Sequence, residues 1–118
     1  MSIKDIAHDL VKLCKAGKFG EAGEKYWDEN VISIEAMGDD AELKGKSAVR
    51  RKGETWEKGH TVHSALVEGP YINGNQFVIR FKMDMTIKQS GQRMSMDEVG
   101  LYTIRKDKIV EERFFYGE

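Results

Sequence analysis

The sequence predicts an α+β fold, with three helices from the N-terminal half packed on a strongly curved antiparallel sheet of about five strands. Two patterns carry that expectation. Near the start of the chain, apolar residues recur at helical spacing, as Ile3, Ile6, Ala7, Leu10, Leu13 and Cys14. From Phe77 they recur at every second position instead, as Phe77, Ile79, Phe81, Met83, Met85 and Ile87, with mostly polar residues between. Helices gathered ahead of strands lie together on one face of a sheet. Long strands twist, so the covered face is concave and tends to leave a pocket at one end.

Each element has its own signal. Ser2 is placed to cap the first helix, Asp5 completes a capping box, and Gly17 follows the end. A shorter second helix runs from Phe19 to about Trp27, with Phe19, Ala22, Gly23 and Tyr26 on one face; two glycines inside it lower its propensity. Asp28-Glu29-Asn30 then turns into a strand over Val31–Met37, apolar on both faces. The polar segment Gly38–Gly45 is expected to be a surface loop. Ser47 should cap a third helix over Ala48–Lys58, whose buried stripe is the narrow run Val49, Lys52, Gly53, Trp56.

Thr61–Val67 reads as a strand that Gly69-Pro70 bends, because proline cannot donate to a ladder. Asn73-Gly74 is a hairpin dipeptide leading into the long alternation. Ser90-Gly91-Gln92 turns the chain, and alternation resumes as Met94, Met96, Glu98, Gly100, Tyr102, Ile104. Lys106-Asp107-Lys108 is a tight turn into a last strand, Ile109–Tyr116, and the final four strands form an antiparallel meander.

Composition narrows the function. The 118 residues fit one domain, 1–118. Nineteen basic against 20 acidic side chains give a net charge of -1, which lacks the basic footprint of a nucleic-acid binder. No apolar run is long enough to span a membrane, and the first residues lack a signal-peptide core. The single cysteine, Cys14, falls on the apolar face of the first helix, as expected for a reduced side chain in a cytoplasmic protein.

Glu98 breaks the pattern in an informative way. It stands in phase with Met94, Met96, Tyr102 and Ile104, so its carboxyl faces the apolar side, where it needs a partner, a proton or an adjoining cavity. Met83, Met85 and Met96 on the same face suit the wall of a pocket for a flexible apolar ligand, or simple gap-filling in a small core. Trp56, Trp27 and Tyr102 are expected to line the cavity as well. His60 and His63 are spaced like a loose metal pair, but a three-residue step on a strand sends them to opposite faces, so no metal site is expected. His63 alone is a pocket residue or a hydrogen-bonded wall residue.

Four short stretches carry a resemblance: Lys15-Ala16-Gly17-Lys18-Phe19, Tyr26-Trp27-Asp28-Glu29-Asn30-Val31, Gly45-Lys46-Ser47-Ala48-Val49, and Asp107-Lys108-Ile109-Val110-Glu111-Glu112-Arg113. In this order, with these elements between them, the chain resembles the NTF2-like superfamily over nearly its whole length, in particular its SnoaL-like and ketosteroid-isomerase-like cone folds. The resemblance implies a carboxylate general base near the end of the first strand. Counting forward from Tyr26-Trp27 puts it at Glu35, and counting back from Gly45 puts it at Ala36. The second acid of that pattern matches Glu98 or Gly100 by phase, while its helix-one tyrosine is replaced by Leu10. The fold hosts many activities. Two functions follow: a cofactor-independent isomerase, cyclase or dehydratase acting on a small apolar carbonyl compound through Glu35 and Glu98, or a non-catalytic binding or dimerisation module. The resemblance also implies a homodimer through the outer face of the sheet, where Arg80, Lys82, Asp84, Thr86 and Lys88 alternate.

Overall fold

The computed structural model describes residues 1–39 and 41–117. Helix α1 (Ile3–Lys15) starts at a capping box: Ser2 Oγ accepts from the Asp5 N–H at 3.1 Å, and the Asp5 carboxylate accepts from the Ser2 N–H at 3.4 Å. Ile6, Ala7, Leu10, Val11 and Cys14 form its buried stripe. Helix α2 (Phe19–Tyr26) is tied back to α1 by Asp9, which accepts from Lys25 Nζ at 2.6 Å and from the Tyr26 hydroxyl.

Strand β1 (Trp27–Ile34) follows α2 without a linker. It starts and stops earlier than the expected Val31–Met37, because its ladder is set by a partner from the far end of the chain rather than by its own apolar run. Strand β2 (Glu42–Lys44) then returns antiparallel to β1, so the segment expected to be a loop contains a strand. Three residues with one apolar side chain are too few to show an alternation; Asp40, also in that segment, lies outside the described residues. Helix α3 (Lys46–Gly59) begins with Gly45 at its N-cap, at φ +94, and no side chain caps it; Ser47 lies inside the first turn. Only Val49 of α3 is fully buried.

Strand β3 (His60–Asn73) does not end at Val67. It passes through Gly69-Pro70, where the register with the next strand shifts between Glu68 and Tyr71 and absorbs the residue that cannot donate. Strands β4 (Gln76–Ile87) and β5 (Arg93–Arg105) pair as the alternation requires, with Phe81 opposite Glu98, Met83 opposite Met96 and Met85 opposite Met94. Strand β6 (Lys108–Phe115) completes the meander.

The sheet order is β2-β1-β6-β5-β4-β3, and β1 runs parallel to β6. The curved sheet is therefore mixed and six-stranded rather than antiparallel and five-stranded. Parallel neighbours need a long crossover, and here everything between β1 and β6 supplies it, a relation that no local periodicity reports. The helices cover one face, where Val31, Phe77, Ile79, Phe81, Met83, Met85, Tyr102 and Ile109 form the core. Each fully buried member, Phe77 or Ile79 for example, stabilises the fold by roughly 1.5–3 kcal/mol. The opposite face carries ion pairs, Arg80–Asp97 and Arg93–Asp84, both at 2.7 Å. No helix among the described residues is long and apolar enough to cross a membrane.

The two glycines that lower the propensity of α2 differ in surroundings. A Cβ at Gly23 would lie 2.3–2.5 Å from the Trp27 ring, whereas at Gly20, and at Gly53 in α3, it would meet nothing within 4 Å. Gly53→Ala is expected to raise stability by up to about 1 kcal/mol on propensity. Gly23→Ala is expected to lower it by roughly 1–3 kcal/mol despite the same propensity gain, because the indole must move. Thermal melts of both variants check the opposite signs.

Candidate functional site

Sheet register assembles a polar cluster on the helix-covered face. Ser33 of β1 sits beside Glu112 of β6, Glu112 beside Tyr102 of β5, and Tyr102 beside Phe77 of β4. Glu35 stands just beyond the end of β1, two residues after Ser33 and so on the same face. Glu98 lies four residues along β5 from Tyr102 on the same face, opposite Phe81 and two residues from Met96.

Glu112 is the most deeply placed carboxyl, only 5 % exposed. Trp27 Nε1–H donates to its Oε1 at 2.7 Å, and the Ser33 hydroxyl donates to its Oε2 at 2.8 Å. Lys52, reaching down from α3, donates to Ser33 Oγ at 2.6 Å and to Glu35 Oε1 at 2.9 Å, with its Nζ 5.4 Å above the Phe114 ring. Burial pushes the Glu112 carboxyl above its ordinary range, and the two hydrogen bonds and the Lys52 charge hold it partly back.

Glu98 has the other environment. It makes no side-chain hydrogen bond or ion pair among the described residues, and burial, followed by the negative charge of Glu35, pushes it up to about 7. Lys52 pulls it back down and Glu112 adds to the rise. At neutral pH it is shared between acid and carboxylate. The Tyr102 phenol stays protonated, raised by burial and then by Glu112, and stacks on Phe77 at 5.2 Å with Phe114 edge-on at 6.2 Å. Gly100 makes room for it, since a Cβ there would lie 2.9–3.1 Å from the ring and hydroxyl. Burial, with the charge of Glu112, pushes the Cys14 thiol up to about 12, so it is no nucleophile. Ser33 is fully buried and its proton is committed to Glu112, which leaves it no route to attack a ligand.

The sequence-predicted residues fall into three groups. Glu35 and Glu98 both face the cluster, linked electrostatically through Lys52. Met83, Met85 and Tyr102 are buried in the core on the helix-covered face, and Met96 and Trp56 pack partly buried against it, Trp56 stacked on His60 at 4.5 Å. His63 does not join them. It is exposed in a register shift of β3, and its Nε2 meets Thr86 Oγ1 at 2.7 Å on the outer side. The extra residue of the bulge turns it away from Met83 and Met85. Glu112, Ser33 and Lys52 were not foreseen as site residues. Lys52 gave a signal, being a cation on the buried stripe of the third helix. Glu112 gave none that alternation reports: each phase of Ile109–Tyr116 mixes apolar and charged residues, and a register shift beside Ile104 buries both Ile109 and Glu112 although they differ in phase. One surface depression is lined by Asp28, Ile32, Thr103, Arg105 and Glu111, and another by Leu66, Lys82, Met83, Asp84, Met96 and Asp97; the second includes the predicted Met83 and Met96, and neither includes Glu35 or Glu98.

The SnoaL-like domain family matches residues 1–116. A solved structure from Mesorhizobium loti is 50 % identical, with a TM-score of 0.95 over 98 % of this chain and 100 % of that one; it is described as a proposed SnoaL-like polyketide cyclase and also, in brackets, as a carbohydrate phosphatase. A proposed isomerase from Bacillus subtilis shares the fold at 17 % identity and a TM-score of 0.81, over 99 % and 90 % of the two chains. A ketosteroid isomerase-like protein from Catenulispora acidiphila, solved with trimethylamine, shares it at 15 % identity and 0.68, over 87 % and 75 %. No curated protein gives a significant match.

The position of Glu98 has a consequence for stability. Its folded-state value lies above the ordinary 4.5, so the protonated form is favoured by folding. That contribution is fully present below pH 4.5 and is lost as pH rises through about 7, up to roughly 3 kcal/mol in all. Glu98→Gln, which mimics the neutral acid, is expected to melt higher than the native chain at pH 8 and close to it at pH 4. Equal shifts at both pH values would contradict the assignment.

Proposed function

Because this chain belongs to the SnoaL-like domain family, we propose that its inner face performs cofactor-independent acid–base chemistry on a small apolar carbonyl compound, of the isomerase, cyclase or dehydratase type. The carrying observation is the contrast between two neighbouring carboxyls: Glu35 is paired with Lys52, and Glu98 is unpaired against methionine and aromatic walls. Glu35 would accept the proton α to the carbonyl, and Glu98 in its acid form would donate a hydrogen bond to the oxygen as negative charge develops there. Aldol-type ring closure and double-bond isomerisation both begin with that step, which accords with what the Mesorhizobium loti and Bacillus subtilis proteins are called. The methionine and aromatic side chains would exclude water from the reacting carbon.

A binding module with no turnover is the second reading, favoured by Leu10, which fills the core where the ketosteroid-isomerase pattern has its tyrosine, leaving one donor fewer for the oxygen. Proton exchange separates the two. A panel of small cyclic ketones and β-dicarbonyl compounds in deuterated water should lose α-protons faster with the protein than without it, by NMR. The rate should fall at least about tenfold in Glu35→Gln, and should decline as pH rises through 7, when Glu98 loses the proton it donates. Exchange equal to the protein-free background, or unchanged in Glu35→Gln, contradicts the catalytic reading.

We further propose that the outer face pairs with a second copy of the chain. Leu66, Tyr71 and Phe115 stand out there, half exposed or more, among the Arg80–Asp97 and Arg93–Asp84 pairs. Such a face carries charges of both signs beside apolar side chains, so a two-fold copy can complement it. Light scattering on a sizing column should give twice the 13.5 kDa chain mass, and Leu66→Glu should shift it toward the monomer. A monomer at all concentrations contradicts the pairing.

A further inference from the structure

We propose that Lys52 is a positioning residue: its ammonium group aims the Glu35 carboxylate and, through Ser33, orients the hydrogen bond that fixes Glu112. The inference rests on the acid–base roles given above to Glu35 and Glu98, and extends them to the group that keeps the two apart.

Geometry carries it. Lys52 Nζ spends one N–H on Ser33 Oγ at 2.6 Å and one on Glu35 Oε1 at 2.9 Å, and lies 5.4 Å over the face of Phe114. Because the ammonium occupies a lone pair of Ser33, the hydroxyl proton points the other way, to Glu112 Oε2 at 2.8 Å. Trp27 holds the second oxygen of Glu112. A directed chain therefore runs from Lys52 through Ser33 to Glu112. Neither Ser33 nor Glu112 is exposed enough to touch a ligand, at 0 % and 5 %. The side chains of Lys52 and Glu35 are each 26 % exposed, which puts them at the edge of the cluster where a ligand would arrive.

Charge follows the same arrangement. The titratable groups around Glu98 are Glu35 after β1, Lys52 on α3, Glu112 on β6, Tyr116 just past it, and Tyr102 on β5, with the Cys14 thiol of α1 beside Tyr102 and Glu112. Lys52 is the one cation in that set. Removing its charge leaves three carboxyls facing one another, which favours a proton on Glu98.

The test is a carboxyl-carbon NMR titration of the intact chain, which needs no substrate. In Lys52→Met the Glu98 midpoint should rise by roughly half a pH unit or more above its native value, and the Trp27 indole N–H signal should move as Ser33 is released. Lys52→Gln, which keeps a donor but no charge, gives the same readout should the methionine variant fail to fold. Lys52→Arg retains the charge and should leave the midpoint near the native one. A Glu98 midpoint unmoved in a folded Lys52→Met or Lys52→Gln protein overturns the proposal, as does a rise in Lys52→Arg as large as in Lys52→Met. Measured beside these, α-proton exchange separates the two levels. A shifted midpoint in a protein that catalyses no exchange retains Lys52 as organiser and removes the catalytic reading. Exchange at the native rate in Lys52→Met keeps that reading and overturns the positioning role.

Discussion

A carboxyl group inside a small apolar core constrains everything around it. Leaving the Glu112 side chain buried and unpaired would cost several kcal/mol, a large part of the stability of a domain this size. Two donors remove most of that cost, and each brings its own requirement. Trp27 must place its indole N–H 2.7 Å from Oε1, so the ring lies across α2, and position 23 has to be glycine. Ser33 must come level with Glu112, which the parallel pairing of β1 with β6 provides. The junction of helix and strand and the unusual strand order thus serve the same buried acid.

The two faces of the sheet handle charge differently. On the outer face, Arg80 is matched with Asp97 and Arg93 with Asp84, in water, where such pairs contribute little. On the inner face, among the described residues, Glu35, Glu98 and Glu112 share Lys52. Attraction cannot satisfy all of them, so they divide: one is paired with the cation, one is locked by hydrogen bonds, and one is left to take up a proton near neutrality. Groups with such separated environments in one site are the usual means of running acid and base chemistry together.

Much of this was legible in the sequence, and the failures have physical causes. The alternation from Phe77 to Ile104 is long enough to give both register and face, which is why the inward placement of Glu98 and Tyr102 could be read directly. The capping box at Ser2 and Asp5 is local chemistry and was equally readable. Glu112 was not, because both phases of its strand mix apolar and charged residues, and only a register shift beside Ile104 brings Glu112 to the same face as Ile109. Nor was its link to Trp27, a contact between positions 85 residues apart that no periodic pattern encodes. For His63 the sequence left a pocket residue and a hydrogen-bonded wall residue open; a bulge between Val62 and Ser64, which no alternation announces, leaves it exposed and bonded to Thr86. Glycine at position 23 was read as a weakness of the helix, and its reason lies in a ring four residues later.

Hydrogen exchange of the Trp27 indole N–H tests the central claim most directly. If this donor is held by the buried Glu112 carboxyl, its signal should lie downfield of free indole and persist long after transfer to deuterated water, and Glu112→Leu should abolish the protection. An indole proton that exchanges at the rate of free tryptophan in the folded native chain would contradict the account.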